Sequence, residues 1–272
     1  MNTESIVQMI SQIGDDPQVI QRFRKLVVAL AISGKIDVGQ SKEAAVRMRT
    51  SLLQARAAAV KSGRAPKQKM QDEITWDQLP DDFSDPSHFL PLGAIAAIEK
   101  GKTGIKQAVT GPYPLVVTAA ERANCDHYDF DGAAAIIPLV SSTGHGNASI
   151  NRLHYQEGRF ALGTILAAVI PDDPTLISAR FLFEYLSAFK DDLLVSRMTG
   201  TANVTLSVAG ISTVPIPLVC PSVQKIVNDI MKSCDRLEVA RFSREKMSTQ
   251  LLDGLIAEAL APTSTSFAEA AE

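Results

Sequence analysis

Hydrogen-bond donors suited to phosphates and base edges gather at three turn-rich places in this 272-residue sequence. Lys100, Lys102, Thr103 and Lys106 surround Gly101 and Gly104, where the backbone can approach a ligand closely. The run Gly144-His145-Gly146-Asn147-Ala148-Ser149, with Arg152 beyond it, joins small residues to polar side chains. Arg197, Thr199, Thr201 and Asn203 form a third group around Gly200. Arg and Lys suit guanine and phosphate, Asn suits adenine, and Ser or Thr suits either. Tyr113, between Pro112 and Pro114, could stack or meet a phosphate. Each has a plainer account as well. Lysines beside turns are commonly only solvated, His145 and Asn203 fit turn positions, and Tyr113 fits a core.

Catalytic patterns are missing from the sequence. It holds no N-P-P-[FY] or D-P-P-[YFW] run and no F-x-G-x-G loop for a methyl donor. No lysine has Asp or Glu two residues before it, so Pro171-Asp172 and Pro80-Asp81 lack the partner a metal-dependent nuclease needs. Gly101-Lys102-Thr103 imitates the end of a phosphate-binding loop, but Ala96 stands where that loop requires glycine. No G-x-S-x-G elbow is present for a serine nucleophile. Cys125, Cys220 and Cys234 form no C-x-x-C, and His88, His127, His145 and His154 show no H-x-x-x-H spacing. Buried thiols are expected, with neither a disulfide framework nor zinc.

The elements that must position these loops are of mixed type. Hydrophobic residues make up 46% of the chain, enough for a real core. No apolar run reaches the roughly 18 residues that cross a bilayer, and Met1-Asn2-Thr3-Glu4 lacks a secretory layout, so a cytoplasmic protein is expected. Net charge is −3, yet residues 1–70 hold 12 Lys/Arg against 5 Asp/Glu, whereas residues 71–90 hold 6 acids and no base. A local basic face can therefore exist on an acidic chain.

Residues 17–33 read as a helix on Val19, Phe23, Leu26, Val27 and Leu30, closed by Gly34. A second helix covers Lys42 to about Lys61. Residues 63–88 read as a linker anchored by Trp76 and Leu79. Candidate strands follow at Leu115–Ala119, Ala133–Leu139, Arg159–Leu162, Ala167–Ile170 and Ile211–Pro215, with a helix at Ser178–Phe189. A last helix opens at Pro221 and runs to about Leu260. Val223, Ile226, Ile230, Leu237, Met247 and Leu251 form a heptad-like stripe on it, broken by polar Arg241–Glu245. That stripe either lies on its own domain or pairs with another helix, and the second reading is favoured by the helix's length.

Six segments in order resemble the specificity subunits of type I restriction-modification systems. Phe23-Arg24-Lys25-Leu26 through Gly34-Lys35-Ile36 is similar to their leading helix. Leu79-Pro80-Asp81-Asp82-Phe83 and Leu92-Gly93-Ala94-Ile95 resemble the entry to a target recognition domain, the usual Trp being either replaced by Phe83 or displaced to Trp76. Gly101-Lys102-Thr103 with Gly111-Pro112-Tyr113-Pro114, then Tyr128-Asp129-Phe130-Asp131-Gly132, resemble its interior. Thr199-Gly200-Thr201, Val214-Pro215-Ile216-Pro217 and Pro221-Ser222-Val223-Gln224 resemble its exit.

The resemblance implies an α+β fold: one mixed recognition domain at 89–220, an N-terminal helical segment at 1–62, a spacer helix at 221–261 and a disordered tail at 262–272. It implies a non-catalytic subunit that binds double-stranded DNA and holds an adenine methyltransferase and a restriction subunit on a split site. No cofactor is expected in this chain, with S-adenosylmethionine confined to the methyltransferase. Such subunits normally carry two recognition domains and this chain has room for one. A homodimer reading a palindromic bipartite site is therefore expected, one half-site per chain. The alternative is a scaffold that docks a methyltransferase through its helices without reading DNA.

Overall fold

The computed structural model describes residues 16–36, 42–67, 73–80, 83, 85–143 and 146–260. Helix α1 (Pro17–Ile32) begins where Asp16 accepts the Gln18 N–H at 2.8 Å and Pro17 fills the first turn. Gly34, at φ +66°, ends it, and the Lys35 N–H reaches back to the Leu30 carbonyl at 2.9 Å. Its core face is Ile20, Phe23, Val27, Val28 and Ala31, whereas Val19 and Leu26 face solvent. The expected stripe was therefore displaced around the helix, because an apolar stripe this wide does not say where its centre lies. Helix α2 (Lys42–Lys61) has the expected bounds and buries Met48, Leu52 and Arg56.

Three sheets follow. Strands β1 (Phe89–Pro91) and β10 (Pro215–Pro217) pair antiparallel. Strands β2 (Ala96–Lys100), β9 (Leu166–Pro171), β6 (Ala134–Pro138) and β7 (His154–Gln156) lie in that order, all antiparallel. Strands β4 (Ala123–Cys125), β3 (Tyr113–Val116), β8 (Arg159–Leu162) and β5 (Phe130–Asp131) form the third sheet, with β3 and β8 parallel. Alternation on the central strands decides the layering. Ala135, Ile137, Ala167 and Val169 join the cluster under α1, α3 (Ala179–Ala188) and α6 (Pro221–Leu260), while Ala134, Ile136, Leu166 and Ala168 pack with Phe130 and Phe160 of the third sheet. Both faces of the middle sheet are covered, which is why its strands read as continuous apolar runs.

Three expectations need correction. Ile211–Pro215 is not a strand. The Ser207 hydroxyl accepts the Gly210 N–H at 2.9 Å and starts a short helix, α5 (Val208–Ser212), after α4 (Lys190–Leu193). The strand begins only at Pro215, where one-sided pairing tolerates prolines without N–H groups. Trp76 is not an anchor: it is 65% exposed, whereas Leu79 is buried with Ile74 and Phe89. Finally, Val223 and Ile230 are buried against the chain's own core, and Ile226 and Leu237 pack on it, so these four do not belong to a partner stripe. The first third of α6 seals the domain because α1 and α3 leave an apolar face there. Met247 and Leu251 are exposed, together with Phe242, Leu252, Leu255, Ile256 and Leu260.

The expected disordered tail at 262–272 lies outside the described residues. None of the described helices is long and apolar enough to cross a membrane.

Candidate nucleic-acid interface

Sheet register brings the three polar groups together. Lys100 at the end of β2 pairs with Ala167, and Leu166 at the start of β9 pairs with Pro138 at the end of β6. His154 at the start of β7 pairs with Ile136. The connections after Lys100, after Pro138 and before Leu166 therefore leave from one edge of the central sheet. The third group joins through an isolated bridge between Val140 and Thr205 and through the Ser141 N–H, which donates to the Val204 carbonyl at 3.0 Å. Thr199 and Thr205 pinch the 199–205 turn with reciprocal backbone bonds of 2.9 and 2.8 Å. Gly146 passes so close to Thr201 that a Cβ there would lie 2.5 Å from the Thr201 carbonyl oxygen. Residues about 100 apart in sequence thus share one rim.

Gly101 owes its identity to this packing. A Cβ at Gly101 would lie 2.2 Å from the Gly163 carbonyl oxygen, so its role is close approach between chain segments. Lys100, Lys102, Lys106, Asn147, Arg152, Thr201 and Asn203 are exposed along the rim. The Lys102 ammonium stands 3.9 Å from Glu99 and 5.5 Å from the centre of the Phe130 ring.

Four predicted site residues are placed otherwise. Thr103 is buried: its hydroxyl donates to Asp129 Oδ2 at 2.8 Å and lies 3.0 Å from His127 Nε2. Arg197 spends Nη1 on the Leu193 and Asp192 carbonyls at 2.8 and 3.3 Å, and burial lowers its pKa. Through these bonds it closes the end of α4. Ser149 is half-buried, its N–H donating to the Ser141 hydroxyl at 3.1 Å. Tyr113 stands at the far end of β3 from Val116 and pairs with Tyr128, ring centres 5.1 Å apart. His145 lies outside the described residues.

Around Tyr113 the structure reveals a group that spacing did not single out. The Arg159 guanidinium lies 5.1 Å from the Tyr128 ring centre and bonds Asp131 at 3.1 Å. A guanidinium on an exposed aromatic face can meet either a phosphate or a base. The signal was weak because Tyr128 and Arg159 are 31 residues apart and meet only through β5–β8 pairing.

No protein-family model and no curated protein matches this chain. Solved structures do. The chain is similar to type I restriction-modification S subunits. A crystal structure of the S subunit from M. genitalium shares 14% identity at TM-score 0.40, covering 61% of this chain and 40% of that one. The HsdS subunit from Thermoanaerobacter tengcongensis shares 16% at TM-score 0.40, covering 94% and 57%. A structure described for complex assembly and conformational transition of the type I R-M system shares 16% at TM-score 0.43, covering 90% and 60%. The chain thus spans less than two thirds of each.

Two further groups near the rim bear on chemistry. Asp126 Oδ1, His127 Nδ1, His127 Nε2 and Thr103 Oγ1 form an acid–imidazole–hydroxyl row, with gaps of 2.7 and 3.0 Å. It is not set for nucleophilic attack. Thr103 gives its proton to Asp129, leaving Nε2 to donate rather than accept, and the hydroxyl is buried. His154 is buried beneath the rim, its Nδ1 3.1 Å from Arg122 Nη1. Burial, then the charges of Arg122 and Arg152, lower its pKa to about 4, so it is neutral at pH 7.

Proposed function

We propose that this chain is a non-catalytic, sequence-specific DNA-recognition subunit of a type I restriction-modification system. The observation that carries the reading is the convergence of the Lys102, Asn147 and Thr201 loops on one sheet edge. Exposed cations there supply a salt-dependent grip on phosphates, and Asn147, Thr201 and Asn203 supply base-edge contacts. The ordered motifs of the sequence point the same way. Catalysis and S-adenosylmethionine belong to an adenine methyltransferase partner, cleavage belongs to a restriction subunit, and the complex works in the cytoplasm.

One chain reads one half-site. The outer part of α6 supports pairing with a second copy, since its exposed apolar residues have the spacing of a helix-helix seam: Met247, Leu251 and Leu255 on one row and Leu252, Ile256 and Leu260 on the next. A two-fold pair would read a palindromic split site.

Co-expression with the methyltransferase, followed by mapping of methylated adenines, tests this. A palindromic bipartite motif is expected. Methylation without a defined motif would overturn DNA reading in favour of the scaffold, and a non-palindromic motif would overturn the homodimer alone.

A further inference from the structure

We propose that the hollow between the β3–β4 and β6–β7 connections is a phosphate pocket, where a DNA backbone phosphate binds and sets the register of Asn147. The inference rests on the DNA-reading proposal and deepens it. The hollow holds about 290 Å³, with Thr118, Ser142, Asn151 and Arg152 as its polar lining and Val140 and Ile165 as an apolar wall. Pockets that enclose whole ligands run to about 300–1,000 Å³, so this one suits a single ionic group. No acidic side chain lines it. Its polar side chains are a permanent cation, an amide and two hydroxyls, all able to donate. Ser142 Oγ accepts the Asn151 N–H at 2.9 Å, which leaves the hydroxyl proton to give.

The second observation is Arg122, which follows Thr118 on the β3–β4 connection. It is half-buried, and each of its hydrogen-bond partners is neutral. They are Gln156 Oε1 at 3.0 Å, the Ala120 and Tyr155 carbonyls at 3.2 Å each, and His154 Nδ1 at 3.1 Å. Burial lowers the Arg122 pKa, with no carboxylate to raise it again. By contrast, Arg24 and Arg180 each meet carboxylates. Among the described residues neither Arg122 nor Arg152 forms a salt bridge. Both charges act on the buried His154, and no carboxylate opposes them there. Two cations without a counter-charge thus stand near the hollow. Such a charge, partly withdrawn from water, is stabilised by an arriving anion.

The pocket is tied to the base-reading loop. Ser141, also in its lining, donates to the Asn147 carbonyl at 2.5 Å and accepts the Ser149 N–H at 3.1 Å. A phosphate held beside Ser141 therefore fixes where the Asn147 side chain meets the groove. Phosphate contacts position a protein on the duplex, and base contacts specify the sequence.

The test uses the assembled complex and a duplex carrying its mapped methylation motif, with single phosphates replaced in turn by neutral methylphosphonates. For the wild type, one replacement in a half-site should weaken binding on the order of 10-fold through this pocket. Arg152→Gln should bind the unmodified duplex about as weakly and become indifferent to that one replacement, while keeping its sensitivity elsewhere. Thr118→Val should reduce the effect of the same replacement, and Lys102→Ala should erase the effect of a different one. Arg152 and Thr118 are exposed, so both variants leave the core intact. An Arg152→Gln complex that stays sensitive wherever the wild type is sensitive overturns the pocket, whatever its overall affinity. A complex that binds no DNA selectively removes the DNA reading instead, and orthophosphate on the full chain then decides the pocket. Thermal stabilisation by orthophosphate that is lost in Arg152→Gln supports a site for a free anion. Equal stabilisation of both proteins, or none, overturns it.

Discussion

Arg24 Nη2 lies 2.6 Å from Asp235 Oδ1, so a residue of the first described helix fixes the last one where it leaves the domain. The same guanidinium meets Glu238 at 2.9 Å and Glu184 at 3.5 Å, and Arg180 completes the network from α3. Burial acts to lower the Arg24 pKa, but Glu184, Asp235 and Glu238 outweigh it and raise it. Arg24→Ala would leave Glu184, which is 3% exposed, to Arg180 alone and remove the tie to Asp235 and Glu238, and should cost about 1–3 kcal/mol. Urea denaturation measures this. A loss under 1 kcal/mol would show that water or Arg180 alone satisfies Glu184.

Lys102→Ala should weaken DNA binding by the assembled complex equally for all sequences and reduce the salt slope by about 1. Asn147→Ala should instead change which base is preferred at one position, with about 1–3 kcal/mol lost for the cognate base. Binding across a salt series and a randomised half-site separates the two effects. If neither variant alters binding, the rim does not face DNA.

Stability should fall in mild acid through His154. Its pKa is about 4 folded against 6.5 in the free side chain, so the unfolded chain takes up the proton first. The contribution is whole above pH 6.5 and is lost towards pH 4, amounting to at most about 3 kcal/mol. His154→Gln should flatten this limb of the stability–pH curve. Equal limbs in both proteins would show that folding does not shift the His154 pKa.

Leu251→Lys with Leu255→Lys should convert a dimer to a monomer in sedimentation while leaving the circular dichroism of the domain intact. Both side chains are over 60% exposed, so no buried contact within the chain is lost. A wild-type chain that sediments as a monomer, alone and in complex, removes the dimer.

Much of the fold was legible from local pattern. Helix α2, strand β8 and the end of α1 follow from propensity, alternation and the cap residue Gly34. β2 was missed because Ala96-Ala97-Ile98-Glu99-Lys100 carries little strand signal, and its pairing with β9 decides it.

The sequence by itself determined the long helices, the order of the motifs and the residue types available for DNA contact, because these depend on neighbours a few positions away. Tertiary structure alone decided how those residues are used. Register between β2, β9 and β6 put distant loops on one rim. Burial turned Thr103 inward and spent Arg197 on carbonyls. Packing on α1 and α3 divided α6 into a sealed base and an exposed outer part. Periodicity records that a face is apolar, and only the rest of the chain determines whether anything covers it.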